Sequence, residues 1–178
     1  PIGGGRTVSR SRMAESVTID EENRVAVVQP GVVNLDLKTA VAEHGLFYAP
    51  DPASYETCTI GGNLATNSGG LCCVKYGMTR DAVLGLEVVL ADGAVIRTGG
   101  RNVKDVAGYD LAGLFVGSMG TLGIITEATL RLIPRPAPRQ PLLAFFPTIE
   151  ASGEAVAGMV RDGVQPCTLE LMDAFTIR

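Results

Sequence analysis

The chain has 178 residues, 46% of them hydrophobic and 19% charged, and a formal net charge of −4. At about 100–200 residues per domain this allows one domain or one and a half, and the composition excludes a disordered or fibrous chain. The acidic balance offers no whole-surface field for nucleic acid or an anionic membrane, and no apolar run approaches the ~18–20 residues that span a bilayer.

In chain order, residues 15–20 and 24–29 are short and β-branched around Asp20-Glu21-Glu22-Asn23, which predicts a β-hairpin. Asn34 is the expected N-cap of a helix over LDLKTAVAEHG, with Gly45 as the residue that ends it. YAPDPAS carries Pro50 and Pro52 and reads as an extended loop. In TIGGNLATNSGG, residues 59–70, the run NLATNS allows one or two helical turns that the second glycine pair would end. Runs at 83–90 and 94–98 flank Asp92-Gly93, the strongest hairpin signal in the chain. DLAGLFVGS reads as a short helix capped by Asp110 and ending at Gly117. Residues 125–133 alternate apolar and polar, a half-buried strand stopped by Pro134. PRPAPRQP is the expected domain boundary, separating 1–138 from 139–178, where LLAFFP, a helix over 152–161 and TLELM read as strand, helix and strand. Hairpins are more evident than βαβ units, so the expected fold class is α+β with a largely antiparallel sheet flanked by helices. Both ends of the chain read as cut from something longer.

Chemistry is sparse. His44, the single histidine, falls in the last turn of a predicted helix, where a cation suits the macrodipole. No GxSxG elbow accompanies it, no His/Cys cluster suggests a metal, and neither GxxxxGK[ST] nor GxGxxG is present. Cys58, Cys72, Cys73 and Cys167 lack CxxC or framework spacing, so buried thiols in a reducing cytosol are expected. What remains is glycine density: Gly61, Gly62, Gly69 and Gly70, then Gly117, Gly120 and Gly123. Glycine admits close backbone approach, and amides at a helix start hold anions; Thr59 can cap the helix or bond a phosphate oxygen, and Asn63 can donate to one. The same glycines would equally mark tight turns in a chain that has 22 of them.

DPASYETCTIGGNLATNSGG, KYG, LGLEVVLADG and VKDVAGYDLAGLFVGSMGTLGIITEATLRLIP, in that order, resemble the FAD-binding segment of flavoproteins of the vanillyl-alcohol oxidase type. Within that family the likeness is to the glycolate oxidase flavin subunit and the FAD-linked D-lactate and D-2-hydroxyglutarate dehydrogenases. It covers residues 15–134, and CTLELMDAFTIR adds a likeness to the entry into the cap domain. The resemblance implies a non-Rossmann fold in which two α+β subdomains hold an extended, non-covalently bound FAD. A separate cap, of which 139–178 would be the start, then supplies the substrate site and the catalytic base. It places Pro50, Asp51, Cys58, Thr59, Ile60, Gly61, Gly62, Asn63, Gly69 and Gly70 along the pyrophosphate and ribityl chain. Lys75, Tyr76 and Gly77 fall on the segment that closes that loop. Gly117, Gly120, Gly123, Ile124 and Ile125 fall on the stretch whose backbone approaches the adenine half. The activity implied is oxidation of a 2-hydroxy acid, glycolate or D-lactate, with hydride transfer to flavin. Electrons would leave to a non-NAD acceptor such as an iron–sulfur electron-transfer subunit. A carbohydrate or aryl-alcohol oxidase of the same superfamily, and an inactive binding module, are the alternatives. The expected location is the cytoplasm, with the inner membrane reached only through partner subunits. Met119 stands where the family has Glu, and PIGGGRTVSRSRM resembles the segment after the family's first glycine-rich loop, not that loop.

Overall fold

A computed structural model describes residues 8–9, 12–14, 17–104 and 106–176; the PIGGG opening and the predicted strand residues Glu15 and Ser16 lie outside them. The first hairpin forms as expected, with β1 (Val17–Asp20) antiparallel to β2 (Val25–Val28). Its turn is closed by Asp20, whose carboxylate accepts from the Asn23 backbone and side-chain N–H groups, both at 2.9 Å. Helix α1 (Asn34–Glu43) follows, with Val33 rather than Asn34 at the N-cap position. Asn34 is buried instead, and its amide is engaged in tertiary bonds described below. Gly45, at φ +67°, ends the helix as predicted. The His44 ring at that end meets the Glu21 carboxylate.

A two-residue strand, β3 (Leu46–Phe47), leads through the proline loop into α2 (Ile60–Thr66) and α3 (Cys73–Tyr76). A 3-10 turn over Thr79–Ala82 then enters β4 (Val83–Val89), which forms the second predicted hairpin with β5 (Val95–Gly99). Helix α4 (Leu111–Phe115) is capped by Asp110, whose carboxylate accepts from the Gly113 amide at 2.8 Å. Strand β6 (Ile124–Arg131) closes the main sheet, and β7 (Ile133–Pro134) pairs with β3, so Pro134 belongs to a short ladder rather than stopping the strand.

The main sheet runs β1-β2-β6-β4-β5, every pairing antiparallel. The β4/β6 register shifts between Glu87/Val88, where Glu87 faces Glu127 but Val88 faces Ile125. That bulge at Thr126 explains why the buried positions of β6 are Ile125, Ala128 and Leu130, off the strict alternation read from the sequence. The core is the sheet face bearing Ala26, Val28, Val88 and Leu130, covered by Leu37 and Val41 of α1, Ile60 and Leu64 of α2 and Phe115 of α4. This is the α+β architecture expected.

Beyond β7 only α5 (Ile149–Arg161) is regular among the described residues. The predicted strands at 142–147 and 168–172 are not formed: Leu142 and Phe145 are 89% and 83% exposed, and no sheet edge lies beside them. Alternating apolar residues become a strand only where a neighbour accepts their backbone hydrogen bonds.

Candidate functional site

The start of α2 is the expected anion site, and in the structure its amides are engaged within the protein. The Ile60 amide donates to Val32 O and the Gly61 amide to Pro30 O, both at 2.8 Å; the Gly62 amide donates to Thr59 Oγ1 at 3.2 Å and the Asn63 amide to Thr59 O at 3.0 Å. The first three are donors that a helix start leaves without an intrahelical partner, and all three are engaged by protein; the fourth is the first i→i−4 bond of the helix. Thr59 is thus a cap. Asn63 is buried with Oδ1 accepting from Asn34 Nδ2 at 2.9 Å and Nδ2 reaching Cys58 Sγ at 3.2 Å. Pro50 O also receives Asn34 Nδ2, at 3.4 Å. Asn63 therefore ties α1 to α2, and its amide is not offered to a phosphate.

The other end of α2 brings the two glycine stretches together. Asn67, left-handed at φ 49°, ends the helix, not the Gly69-Gly70 pair. The orphan carbonyls of the last turn accept from the distant loop: the Gly117 amide reaches Leu64 O at 2.8 Å and the Met119 amide reaches Ala65 O at 2.9 Å. Arg80 clamps the joint, its guanidinium donating to Val116 O at 2.8 Å while its own amide donates to Asn67 Oδ1 at 2.9 Å. Between the two stretches lies an open cleft of about 170 Å³ lined by Val8, Gly61, Ala65, Gly120, Gly123, Ile124 and Ile125.

The predicted glycines divide by what they do. A Cβ on Gly70 would stand 1.9 Å from Asp51 O, and one on Gly123 would stand 2.6 Å from Val88 Cγ1, so packing alone demands glycine there. Gly120, at φ +72°, would meet nothing within 4 Å, and its amide has no acceptor among the described residues. The glycine face is open toward the cleft. Gly62 is outside the cleft and in ordinary contact with Thr59, its Cβ position 3.5 Å from Thr59 Oγ1. Met119, in the family's Glu position, is left-handed at φ 56° with a 68% exposed side chain.

Lys75 and Tyr76 are not at this cleft. They line a second hollow of about 140 Å³ with Phe47, Ala49, Ala82, Arg131 and Ile133. The Tyr76 ring stands edge-on to Phe47 with centroids 6.0 Å apart, and burial raises its phenol above the usual range. Gly77, at φ +81°, leaves room for the Asp81 carboxylate, which accepts from the Met78 amide at 2.7 Å. Nearby, Lys38 Nζ donates to Tyr48 O at 2.6 Å beneath the Phe47 ring, and burial lowers its pKa. Asp51 accepts from the Cys72 amide at 3.0 Å, holding the loop that carries Gly69 and Gly70. Among the described residues no group of His, Cys, Asp and Glu can hold a metal.

Sequence reading did not find Ala65, Arg80 or the hollow built on Phe47 and Arg131. Ala65 was accessible in principle, because it lies one turn beyond Gly61 on the same helix face. Arg80 carried no local signal.

A cleft with one small-residue wall, one β-branched wall and the Gly120 amide, which has no acceptor among the described residues, fits the flat, partly polar rings of a flavin dinucleotide. The sequence model of the FAD binding domain family matches residues 2–99. The glycolate oxidase subunit GlcD of Bacillus subtilis is 52% identical over 177 residues, covering 99% of this chain and 38% of that protein. GlcD of Escherichia coli K12 is 44% identical over 178 residues, and a D-lactate dehydrogenase of Archaeoglobus fulgidus is 43% identical over 173; the chain spans 36% and 38% of those proteins. Among solved structures, an alkyldihydroxyacetonephosphate synthase superposes with a TM-score of 0.73 at 30% identity, covering 89% of this chain and 28% of that one. No helix among the described residues is long and apolar enough to cross a membrane. With its model matching more than half of the residues, the chain belongs to the FAD binding domain family, and FAD is its cofactor.

Proposed function

We propose that this chain is the cofactor-binding part of an FAD-dependent 2-hydroxy-acid dehydrogenase acting on glycolate or D-lactate. The observation that carries the site is the docking of the Gly117–Gly120 loop onto the last carbonyls of α2, which sets Gly61 and Ala65 opposite Gly120, Ile124 and Ile125. The names of the relatives from Bacillus subtilis, Escherichia coli and Archaeoglobus fulgidus, two glycolate oxidase subunits and a D-lactate dehydrogenase, support the substrate class.

On this reading the cleft seats part of a non-covalently bound FAD. Gly61 and Ala65 keep one wall low, Ile124 presses on the ring from the other while Ile125 anchors that wall in the core, and the Gly120 amide donates to a polar edge. Gly70, Gly123, Asn63 and Thr59 act indirectly, holding the two walls in register. Lys75, Tyr76 and Gly77 border a separate hollow and contribute to the surface beside the loop. When bound, FAD supplies the two-electron acceptor that the side chains of this segment lack. Residues 139–178 open the unit that carries the substrate site, and an iron–sulfur subunit is the proposed electron acceptor.

The test is anaerobic reduction of the purified full-length flavoprotein. Glycolate or D-lactate should bleach the oxidised-flavin absorption without added NAD. Flavin that stays oxidised with both substrates yet bleaches with an aryl alcohol or a sugar would transfer the protein to another oxidase class.

A further inference from the structure

We propose that Cys72 and Cys167 are a disulfide-forming pair, closed by hydrogen peroxide and reopened by a dithiol, which ties the segment after α5 to the loop carrying Gly69 and Gly70. The two sulfurs lie 3.9 Å apart across 95 positions of sequence, and both thiols are free. A disulfide needs an S–S separation of about 2.05 Å, so the sulfurs must approach by a little under ~2 Å. One side can move. Cys167 is only partly buried, in an irregular segment, whereas Cys72 is 1% exposed and anchored by its amide on Asp51.

The other cysteines are engaged differently. Cys73 Sγ accepts from the Gly70 amide at 3.0 Å, and Cys58 Sγ accepts from Asn63 at 3.2 Å. Around the pair, Arg139 Nη2 stands 3.3 Å from Cys72 Sγ, a cation placed where a thiolate would develop. Burial pushes the Cys72 thiol up to about 12, which leaves Cys167 as the sulfur that meets oxidant first.

The chemistry balances in two steps. Cys167 S–H and hydrogen peroxide give the sulfenic acid and one water, as the sulfur is oxidised and the O–O bond is broken and reduced. Cys72 then attacks that sulfur; the S–S bond forms, the S–OH bond breaks, and the departing hydroxide takes the Cys72 proton and leaves as water. Arg139 stabilises the developing thiolate, and the Asp51 carboxylate is the near acceptor through which the proton can pass.

The experiment uses the full-length holoprotein, reduced, freed of reductant, treated with hydrogen peroxide, alkylated and digested without reduction. Mass spectrometry should find a peptide pair joining Cys72 to Cys167, two hydrogens lighter than its parts and absent after dithiothreitol. Cys167→Ala, at a partly exposed position, should abolish the pair, and Cys73→Ala should leave it. Recovery of Cys72 and Cys167 both alkylated, or Cys72 joined to Cys58 or Cys73 in equal yield, overturns the proposal. Equal yield of the Cys72–Cys167 pair from protein oxidised in denaturant overturns it too, since the fold would then contribute nothing to the pairing.

Discussion

Ala65→Leu tests whether FAD occupies the cleft. Ala65 is half-buried on the wall formed with Gly61, facing Gly120, Ile124 and Ile125 across about 170 Å³. The added isopropyl group extends into that space, not into the core, where Leu64 carries the packing. Ala and Leu differ little in helix propensity, so stability of the FAD-free protein should change by less than about 0.5 kcal/mol. A heterocycle seated against this wall would bury roughly 100 Å² of apolar surface, about half of what a buried aromatic side chain commits. At ~25 cal/mol per Å² that contact is worth about 2.5 kcal/mol, so blocking it should raise the Kd for FAD by about 70-fold. Flavin fluorescence titration of apoprotein and a denaturant melt of the same sample read the two quantities separately. A Kd within twofold of the parent, with stability unchanged, would mean that FAD lies elsewhere. Parallel loss of affinity and stability would make Ala65 a packing residue.

Thr59→Ala removes the α2 cap and should cost about 1 kcal/mol of stability; a tenfold or greater loss of FAD affinity in the same titration would instead show that the hydroxyl bonds a phosphate. Asn63→Ala leaves the buried Asn34 amide with only the 3.4 Å contact to Pro50 O, so chemical denaturation should show a loss of about 2–3 kcal/mol. Tyr48 is fully buried and its hydroxyl has no partner among the described residues, so Tyr48→Phe should be neutral or gain about 1 kcal/mol, and a loss beyond ~1 kcal/mol in the same melt would contradict that accounting. Met119→Asn relieves a left-handed Met whose side chain is exposed, with an expected gain of about 0.5–1 kcal/mol, or roughly 1–4 °C by calorimetry.

Elements whose cause is local were legible in the sequence. Asp92-Gly93 between alternating apolar runs, Asp110 before an apolar turn and Gly45 after a helical run each specify their structure without distant partners. Elements decided by distant contacts were misread. Asn34 looked like a cap because Asn often is one, but Asn63 offered its amide a buried partner far along the chain. The bulge at Thr126 depends on Glu87, whose carbonyl and carboxylate accept from the Thr126 hydroxyl at 3.3 and 2.8 Å. LLAFF has the composition of a strand and no neighbour to make it one.

The site shows the same division in sharper form. Glycine density correctly marked two segments where backbone approaches something, yet the partner differs from one glycine to the next. At Gly70 it is Asp51, at Gly123 it is Val88, and only at Gly120 is it open space. A glycine that packing demands and one that a turn demands look identical in sequence; the Cβ position separates them, crowded at Gly70 and Gly123 and empty, with positive φ, at Gly45, Gly93 and Gly120. At the start of α2, where a glycine pair suggested phosphate binding, Pro30, Val32 and Thr59 accept the Ile60, Gly61 and Gly62 amides. The contribution of the cleft to FAD on our reading is therefore shape against a ring and one amide at its edge.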